Sequence, residues 1–321
     1  FDENYGEGMY IVTDMGISFY KYKDSLAQVT NQIYRTVNNI TINSPKKIKF
    51  RGTKAYFLAN NSIIVVDVKT FENNGMISGF INPVDFDFAD PNDRIFVVDK
   101  DDSKLKVVDL EKLEITSDIE TGDNTSPVFI VSKWYRAIVM NGGGAADSLK
   151  DSTIVAIDYR DELVPFAHMM GSLYIGDNPN SAVNINNLKV LCRGIYDSND
   201  LTTKTQSSLV TVNPWDMIIT ASTTLPGIYN ANNLITNNDD TEYYFTTEGG
   251  FYKMNPNGTG ISLINALVSD VLYYQDEIYS QYSVIDSVTY YYSRDVLYVN
   301  DSENSKNTIY KYNLNSNVFI D

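Results

Sequence analysis

Two stretches decide how this chain folds. The first runs Ala55-Tyr56-Phe57-Leu58-Ala59-Asn60, then Ile63-Ile64-Val65-Val66-Asp67-Val68; the second runs Ile95-Phe96-Val97-Val98-Asp99, then Leu105-Lys106-Val107-Val108-Asp109-Leu110. Each run is apolar almost throughout, as expected of a strand covered on both faces rather than one that alternates between core and water. Each pair has a shorter strand before it, Ile48-Lys49-Phe50 or Val84-Asp85-Phe86-Asp87-Phe88, and another after it, Gly75-Met76-Ile77-Ser78 or Ile115-Thr116-Ser117-Asp118-Ile119. The unit is therefore four short strands, two of them buried, recurring as a repeat.

Later copies keep the order and lengthen the connections. Ala137-Ile138-Val139-Met140-Asn141 leads to Thr153-Ile154-Val155-Ala156-Ile157-Asp158, and Val190-Leu191-Cys192 leads to Leu209-Val210-Thr211-Val212. Tyr243-Tyr244-Phe245-Thr246 with Gly250-Phe251-Tyr252-Lys253-Met254, and Val296-Leu297-Tyr298-Val299-Asn300 with Thr308-Ile309-Tyr310-Lys311-Tyr312, complete the series. Near the start, Met9-Tyr10-Ile11-Val12-Thr13-Asp14 and Ile17-Ser18-Phe19-Tyr20-Lys21-Tyr22 form a copy with no strand before it. Pro45, Pro83, Pro127, Pro179 and Pro226 punctuate the units at intervals of 38, 44, 52 and 47 residues. Four strands at that period are the signature of propeller blades; a sandwich would not repeat its sequence, and a solenoid would carry less strand per repeat.

The expected architecture is all-β: a single seven-bladed β-propeller domain over residues 1–321, made of four-stranded antiparallel blades with an incomplete first blade. The blades fall at about 8–37, 45–80, 83–121, 127–172, 179–223, 226–265 and 282–321. At the closure, Phe1 to Tyr5 or a neighbouring segment fills the first blade, or that blade has three strands.

The formal net charge is −16, so the long-range field repels phosphate backbones and anionic lipid, which argues against nucleic-acid and polybasic membrane roles. The single cysteine, Cys192, lies in an apolar run and reads as a small buried hydrophobe. No apolar stretch approaches the ~18 residues that span a bilayer. The chain opens at Phe1 with polar Asp2-Glu3-Asn4, the form of a processed or trimmed product, which removal of a signal peptide or lipoprotein leader would explain, as would trimming for expression.

Several segments resemble the YncE-like, surface-layer-type β-propeller lipoproteins of Bacteroidetes: Ile17-Ser18-Phe19-Tyr20-Lys21-Tyr22, Val29-Thr30-Asn31-Gln32-Ile33-Tyr34, the repeated Val-Val-Asp, and Gly176-Asp177-Asn178-Pro179-Asn180-Ser181. The resemblance implies an outward-facing protein on the outer membrane, lipid-anchored or secreted, that accompanies a TonB-dependent transporter or other outer-membrane machinery. The implied partner is an outer-membrane β-barrel or other surface protein. The alternative it implies is capture of a small molecule, such as cobalamin or a glycan, for a transporter. The O-glycosylation pattern of that phylum resembles Asp-Ser at Ser25, Ser148, Ser152 and Ser287, with Ser148 and Ser152 in a long loop.

Catalytic signals are sparse. The one histidine, His168, reads as an outer-strand residue with a backbone partner, and no nucleophile–base pair assembles around it. Gly142-Gly143-Gly144 lacks the Lys-Ser/Thr of a phosphate loop and reads as a flexible turn. Asp99-Lys100-Asp101-Asp102 and Asn237-Asn238-Asp239-Asp240 lack the alternation and distal Glu of a calcium loop and read as solvated turns. No cofactor or metal is expected, and an enzyme is the third reading, through a metal held in a propeller channel. The elaborated connections Asn141–Ser152, Arg193–Gln206 and Ala266–Gln281 place binding on one face, with Asn141, Tyr196, Tyr273, Tyr274, Asp276, Glu277, Tyr279 and Tyr282 as the candidate residues.

Overall fold

The computed structural model describes residues 5–21, 29–122, 125–143, 151–160, 166–196, 204–266, 268–283, 285, 288–301, 309–316 and 318–320. The first sheet pairs β1 (Gly8–Thr13) with β2 (Gly16–Lys21), and the helix α1 (Ile33–Asn38) follows it. Six four-stranded sheets come next among the described residues, each a meander in chain order. They are β3 (Ile48–Arg51), β4 (Lys54–Ala59), β5 (Ser62–Asp67) and β6 (Asn73–Ile77); β7 (Pro83–Phe88), β8 (Arg94–Asp99), β9 (Lys104–Asp109) and β10 (Glu114–Glu120); and β11 (Pro127–Lys133), β12 (Arg136–Asn141), β13 (Thr153–Asp158) and β14 (His168–Tyr174). Then come β15 (Pro179–Asn184), β16 (Leu188–Cys192), β17 (Ser208–Asn213) and β18 (Ile218–Thr224); β19 (Asn232–Thr236), β20 (Tyr243–Thr247), β21 (Gly250–Met254) and β22 (Ser262–Asn265); and β23 (Val268–Ser283), β24 (Val288–Asp301), β25 (Ile309–Asn313) and β26 (Val318–Ile320). The chain divides into two compact units, Phe1–Val139 with Val155–Gly171 and Met140–Ile154 with Ser172–Asp321, and the division passes through the sheet β11–β14.

Burial explains the continuous apolar runs. Along β4, Phe57 and Ala59 pack with Ile17, Phe19 and Ile33 on one side, while Tyr56 and Leu58 pack with Phe86, Ile95 and Val97 on the other. Along β8, Phe96 and Val98 turn instead toward Ala137, Val139, Val155 and Ile157. In the second unit, Tyr243 and Phe245 of β20 meet Leu191 and Leu209, and Tyr244 meets Tyr312. The two-residue alternation survives, but both faces are core, and each such side chain contributes about 1.5–3 kcal/mol by leaving water. The fourth strands are outermost: β10 alternates between exposed and half-buried residues, and β18 is exposed along most of its length.

The acidic residue that ends the third strand has a local role. Asp67 Oδ1 accepts the backbone N–H groups of Lys69 (2.8 Å) and Thr70 (3.0 Å), and Asp109 Oδ1 accepts those of Glu111 (2.9 Å) and Lys112 (3.1 Å). Asn213 repeats this with Trp215 (2.9 Å), and Asn313 with Asn315 (2.9 Å) and Ser316 (3.1 Å). These Asx turns close the third-to-fourth strand connection in four of the sheets. The prolines have a positional reason too. Pro83, Pro127 and Pro179 each open the first strand of a sheet, where no ladder N–H is required.

The first sheet is incomplete, as expected; the helix after it and the first strand of the last sheet depart from the sequence reading. The first sheet has two named strands, with Thr30 bridging Phe19 through a pair of backbone bonds. Tyr5 donates its N–H to Lys69 O (2.8 Å) and so joins the β5–β6 turn. The six residues of α1 include β-branched Ile33, Thr36 and Val37, a poor helix composition. The turn forms because Ile33 and Tyr34 are buried in the core and Asn38 donates to Tyr34 O and Phe71 O, both at 3.0 Å.

The second departure is larger. The stretch 266–281, expected to be a connection, is the 16-residue strand β23 (Val268–Ser283), so the last sheet begins at 268 and not at 282. Its Tyr-, Val- and Ile-rich sequence finds a strand-forming partner in β24, in continuous register from Tyr273↔Tyr298 to Ser283↔Val288. Val296–Asn300 of β24 also pair with β25, whereas residues 276–283 and 288–295 pair with each other as a two-stranded extension.

Candidate functional site

In a four-strand meander, the turn after the second strand and the link entering the next sheet emerge at the same end. Hydrogen bonds join these connections directly. Asp99, at the end of β8, accepts the backbone N–H groups of Ile81 (2.9 Å) and Asn82 (2.7 Å), which tie the link before β7 to its own sheet.

In the second unit, this end carries two long connections, β12–β13 and β16–β17, held by a polar frame. Asp177 accepts the Thr205 hydroxyl (2.9 Å) on Oδ2 and the Ser152 hydroxyl (3.3 Å) on Oδ1. Buried Asn178 donates to Gly194 O (2.9 Å), and Ser207 donates to Arg193 O (2.6 Å). Ile195 and Thr205 pinch the base of the β16–β17 connection through a two-way bond. Two glycines permit the close packing: a Cβ on Gly142 would lie 1.9 Å from Pro179 O, and one on Gly194 would lie 2.4 Å from Thr205 O. Gly142 is thus a close-packing residue, and the Asp177-Asn178-Pro179 segment acts as the clamp.

Above this frame sits an aromatic pair. The Tyr196 and Tyr229 rings lie 5.7 Å apart at 41°, with the Lys204 ammonium 5.0 Å from the centre of the Tyr229 ring and Gln206 Nε2 3.4 Å from its hydroxyl. Tyr196 is 37% exposed, and Lys204 and Gln206 are also exposed. Two rigid rings with polar tips, a cation and an amide supply contact area at low ordering cost.

The other candidate residues separate from this site. Asn141 is fully buried at the end of β12, donating to Thr153 Oγ1 (3.0 Å), so it belongs to the frame and not to a binding surface. Tyr273, Tyr274, Asp276, Glu277, Tyr279 and Tyr282 stand on β23, opposite Tyr298, Leu297, Asp295, Arg294, Tyr292 and Thr289 of β24. Their side chains lie outside the described residues. The extension carrying Tyr279 and Tyr282 leads into the first-to-second strand turn, at the opposite end of its sheet from the 2–3 turn. Ser152 is 8% exposed with its hydroxyl on Asp177, so in the folded chain it is not an accessible glycosylation acceptor. Ser25, Ser148 and Ser287 lie outside the described residues.

His168 opens the outermost strand β14. Cys192 is fully buried, and burial pushes its thiol up to about 12 against a hydrogen bond from Ser208, which leaves it a neutral hydrophobe. No group of three or more His, Cys, Asp or Glu side chains is placed to hold a metal among the described residues.

The first unit has two polar features of its own. At the turn end of β3–β6, a cavity of about 300 Å3 is lined by Asn43, Ser44, Lys46, Leu58, Ala59, Asn60, Asn61 and Pro83. Along the first strands runs a charge ladder. Lys49 donates to Asp87 (2.9 Å), Lys47 lies 3.9 Å from Asp85, and Asp85 and Asp87 accept the backbone N–H groups of Ile130 (3.1 Å) and Ser132 (2.7 Å) on the next sheet. Burial raises the Asp87 carboxyl even beside Lys49. Burial alone would lower the Lys49 ammonium, but Asp85 and Asp87 outweigh it and raise it. Opposite charges at i and i+2 in successive copies were the available signal for this ladder.

This repeated meander of buried second and third strands, with exposed fourth strands, defines a β-propeller. No family model matches the chain, and no curated protein matches it. Among solved structures, it is similar to the Pan2 WD40 domain of Neurospora crassa, at 12% identity and a TM-score of 0.56 over 80% of this chain and 75% of that one. It is also similar to a functionally unknown protein of Desulfotomaculum acetoxidans, at 11% identity and a TM-score of 0.56 over 79% and 84%. A Kuenenia stuttgartiensis hydrazine synthase aligns at 14% identity and a TM-score of 0.48 over 82% of this chain, which spans 63% of that chain's length. With the two structures at a TM-score of 0.56, the shared property is the fold.

Proposed function

We propose that this chain is a non-catalytic binding module at a bacterial outer surface, lipid-anchored or secreted, that docks on a protein of an outer-membrane complex. The observation carrying the docking role is the exposed Tyr196 ring, paired with half-buried Tyr229 and held on the Asp177 frame. The amphipathic rings resemble interface hot spots in composition and rigidity. The outer-surface location is supported by the sequence resemblance described above.

The test is affinity capture from detergent-solubilised outer membranes, comparing the chain with a Tyr196→Ala/Tyr229→Ala double variant. An outer-membrane β-barrel is expected to co-purify with the unmodified chain. The variant should bind it about 30-fold more weakly, the effect of losing about 2 kcal/mol at a hot spot, with an unchanged Tm. A chain that stays monomeric with no membrane partner, or a variant that retains the partner fully, would overturn the proposal.

A further inference from the structure

We propose that the cavity at the turn end of β3–β6 binds a neutral, polyhydroxylated ligand: a single sugar ring or the end of a glycan chain. This inference concerns the first unit and does not rest on the docking reading.

The chain carries a net charge of −16, yet among the described residues no carboxylate lines this cavity of about 300 Å3. The charged group among its described lining residues, the Lys46 ammonium, is already engaged with Asn82 Oδ1 (3.3 Å) and Pro83 O (3.2 Å). What remains is a mixed set of neutral groups. Asn60 accepts the Asn43 N–H (3.0 Å) on its oxygen and Asn61 donates its NH2 to Ile81 O (2.8 Å), and among the described residues the Asn60 NH2 and the Asn61 oxygen have no partner. The Asn43 carboxamide and the Ser44 hydroxyl complete the set. A carboxylate or phosphate would call for donors alone, and a metal ion for acceptors alone. Neighbouring hydroxyls, each both donor and acceptor, match a site that offers both. Leu58, Ala59 and Pro83 supply the apolar wall against which the C–H face of a ring can lie.

The site is also fixed in advance. Ser44, Asn60 and Asn61 have φ of 45°, 53° and 54°, so the two-residue turn between β4 and β5 holds both carboxamides in place before any ligand arrives. The volume is at the lower end for ligand sites, which suits one ring and not a large cofactor.

The test is a titration of the full chain, followed through side-chain amide NMR signals, with glucose, galactose, mannose, fucose and N-acetylglucosamine up to about 50 mM, and with sodium acetate as the anionic control. Asn60→Asp keeps the acceptor for Asn43 and tolerates the turn geometry, but replaces the free donor with an acceptor. Asn43→Ala is the second variant, since its side chain has no hydrogen-bond partner among the described residues.

At least one sugar is expected to shift the Asn43 and Asn60 amide signals saturably, and either variant should weaken it about tenfold, with Tm unchanged. The proposal is overturned if no sugar moves those signals, if acetate moves them as strongly as any sugar, or if both variants bind like the unmodified chain.

Discussion

Asp67 and Asp109, ending the third strands β5 and β9, each accept two backbone N–H groups of the turn that follows, and their ionisation follows from that. Hydrogen bonding from Thr70 holds the Asp67 carboxyl below its usual range. At Asp109, burial would raise the carboxyl, but the Lys112 and Glu111 N–H groups and Arg94 outweigh it and lower it. A carboxyl lowered in the folded state adds stability above the unfolded carboxylate range, about pH 4, and that stability is lost as pH falls through the folded value. Asp109→Ala should cost about 1–2 kcal/mol in urea denaturation at neutral pH. Asp109→Asn, which keeps the acceptor, should cost less and flatten the acid limb. Lys49 makes the opposite case. With its ammonium removed by Lys49→Met, Asp85 and Asp87 remain on the buried first strand. The loss should be about 2–3 kcal/mol at neutral pH, below a fully buried pair's 3–5 because Lys49 retains 30% side-chain exposure. Since burial already raises Asp87, the variant should regain stability as pH falls from neutral toward the raised Asp87 value, where that carboxyl protonates. Unchanged pH dependence in denaturation curves would show that the ladder does not carry this charge.

At the scale of elements, β23 and β24 separate into two regimes. Val296–Asn300 are laddered on both sides, by β23 and β25, whereas residues 288–295 have β23 alone. A two-stranded ribbon is marginal in water and opens locally. Amides of 288–295 should therefore exchange with deuterium at least about tenfold faster than those of Val296–Asn300, and equal protection would mean that the ribbon packs against something further. This hairpin is also where sequence reasoning failed. A repeat template with a short first strand read 266–281 as connection because tyrosines serve equally in strands and exposed loops. The template worked where the runs were apolar: β4, β5, β8 and β9 lie on the quoted segments because residues buried on both faces leave a continuous hydrophobic signature. α1 left no such mark, since its composition disfavours a helix and only burial of Ile33 and Tyr34 selects one.

For the whole molecule, fold and site were legible to different degrees. Similar folds at 11% and 12% identity follow from pattern, because any sequence that places two double-faced apolar strands and two shorter ones in each period of about 45 residues buries its core in the same way. The repeated blade, the Asx turns at Asp67 and Asp109, the proline openings and the burial of Cys192 were all determined by local sequence, since each depends on residues within a few positions of one another. Tertiary structure alone decided the rest. It buried Asn141 and Ser152, brought Tyr229 beside Tyr196 from 33 positions away, set Asp85 and Asp87 against backbone amides 45 residues on, and gathered the Asn43–Asn61 carboxamides around one cavity. The reason is physical: a strand's burial follows from its own side chains, but a site's chemistry depends on which connections from different strands meet at one end of the sheets.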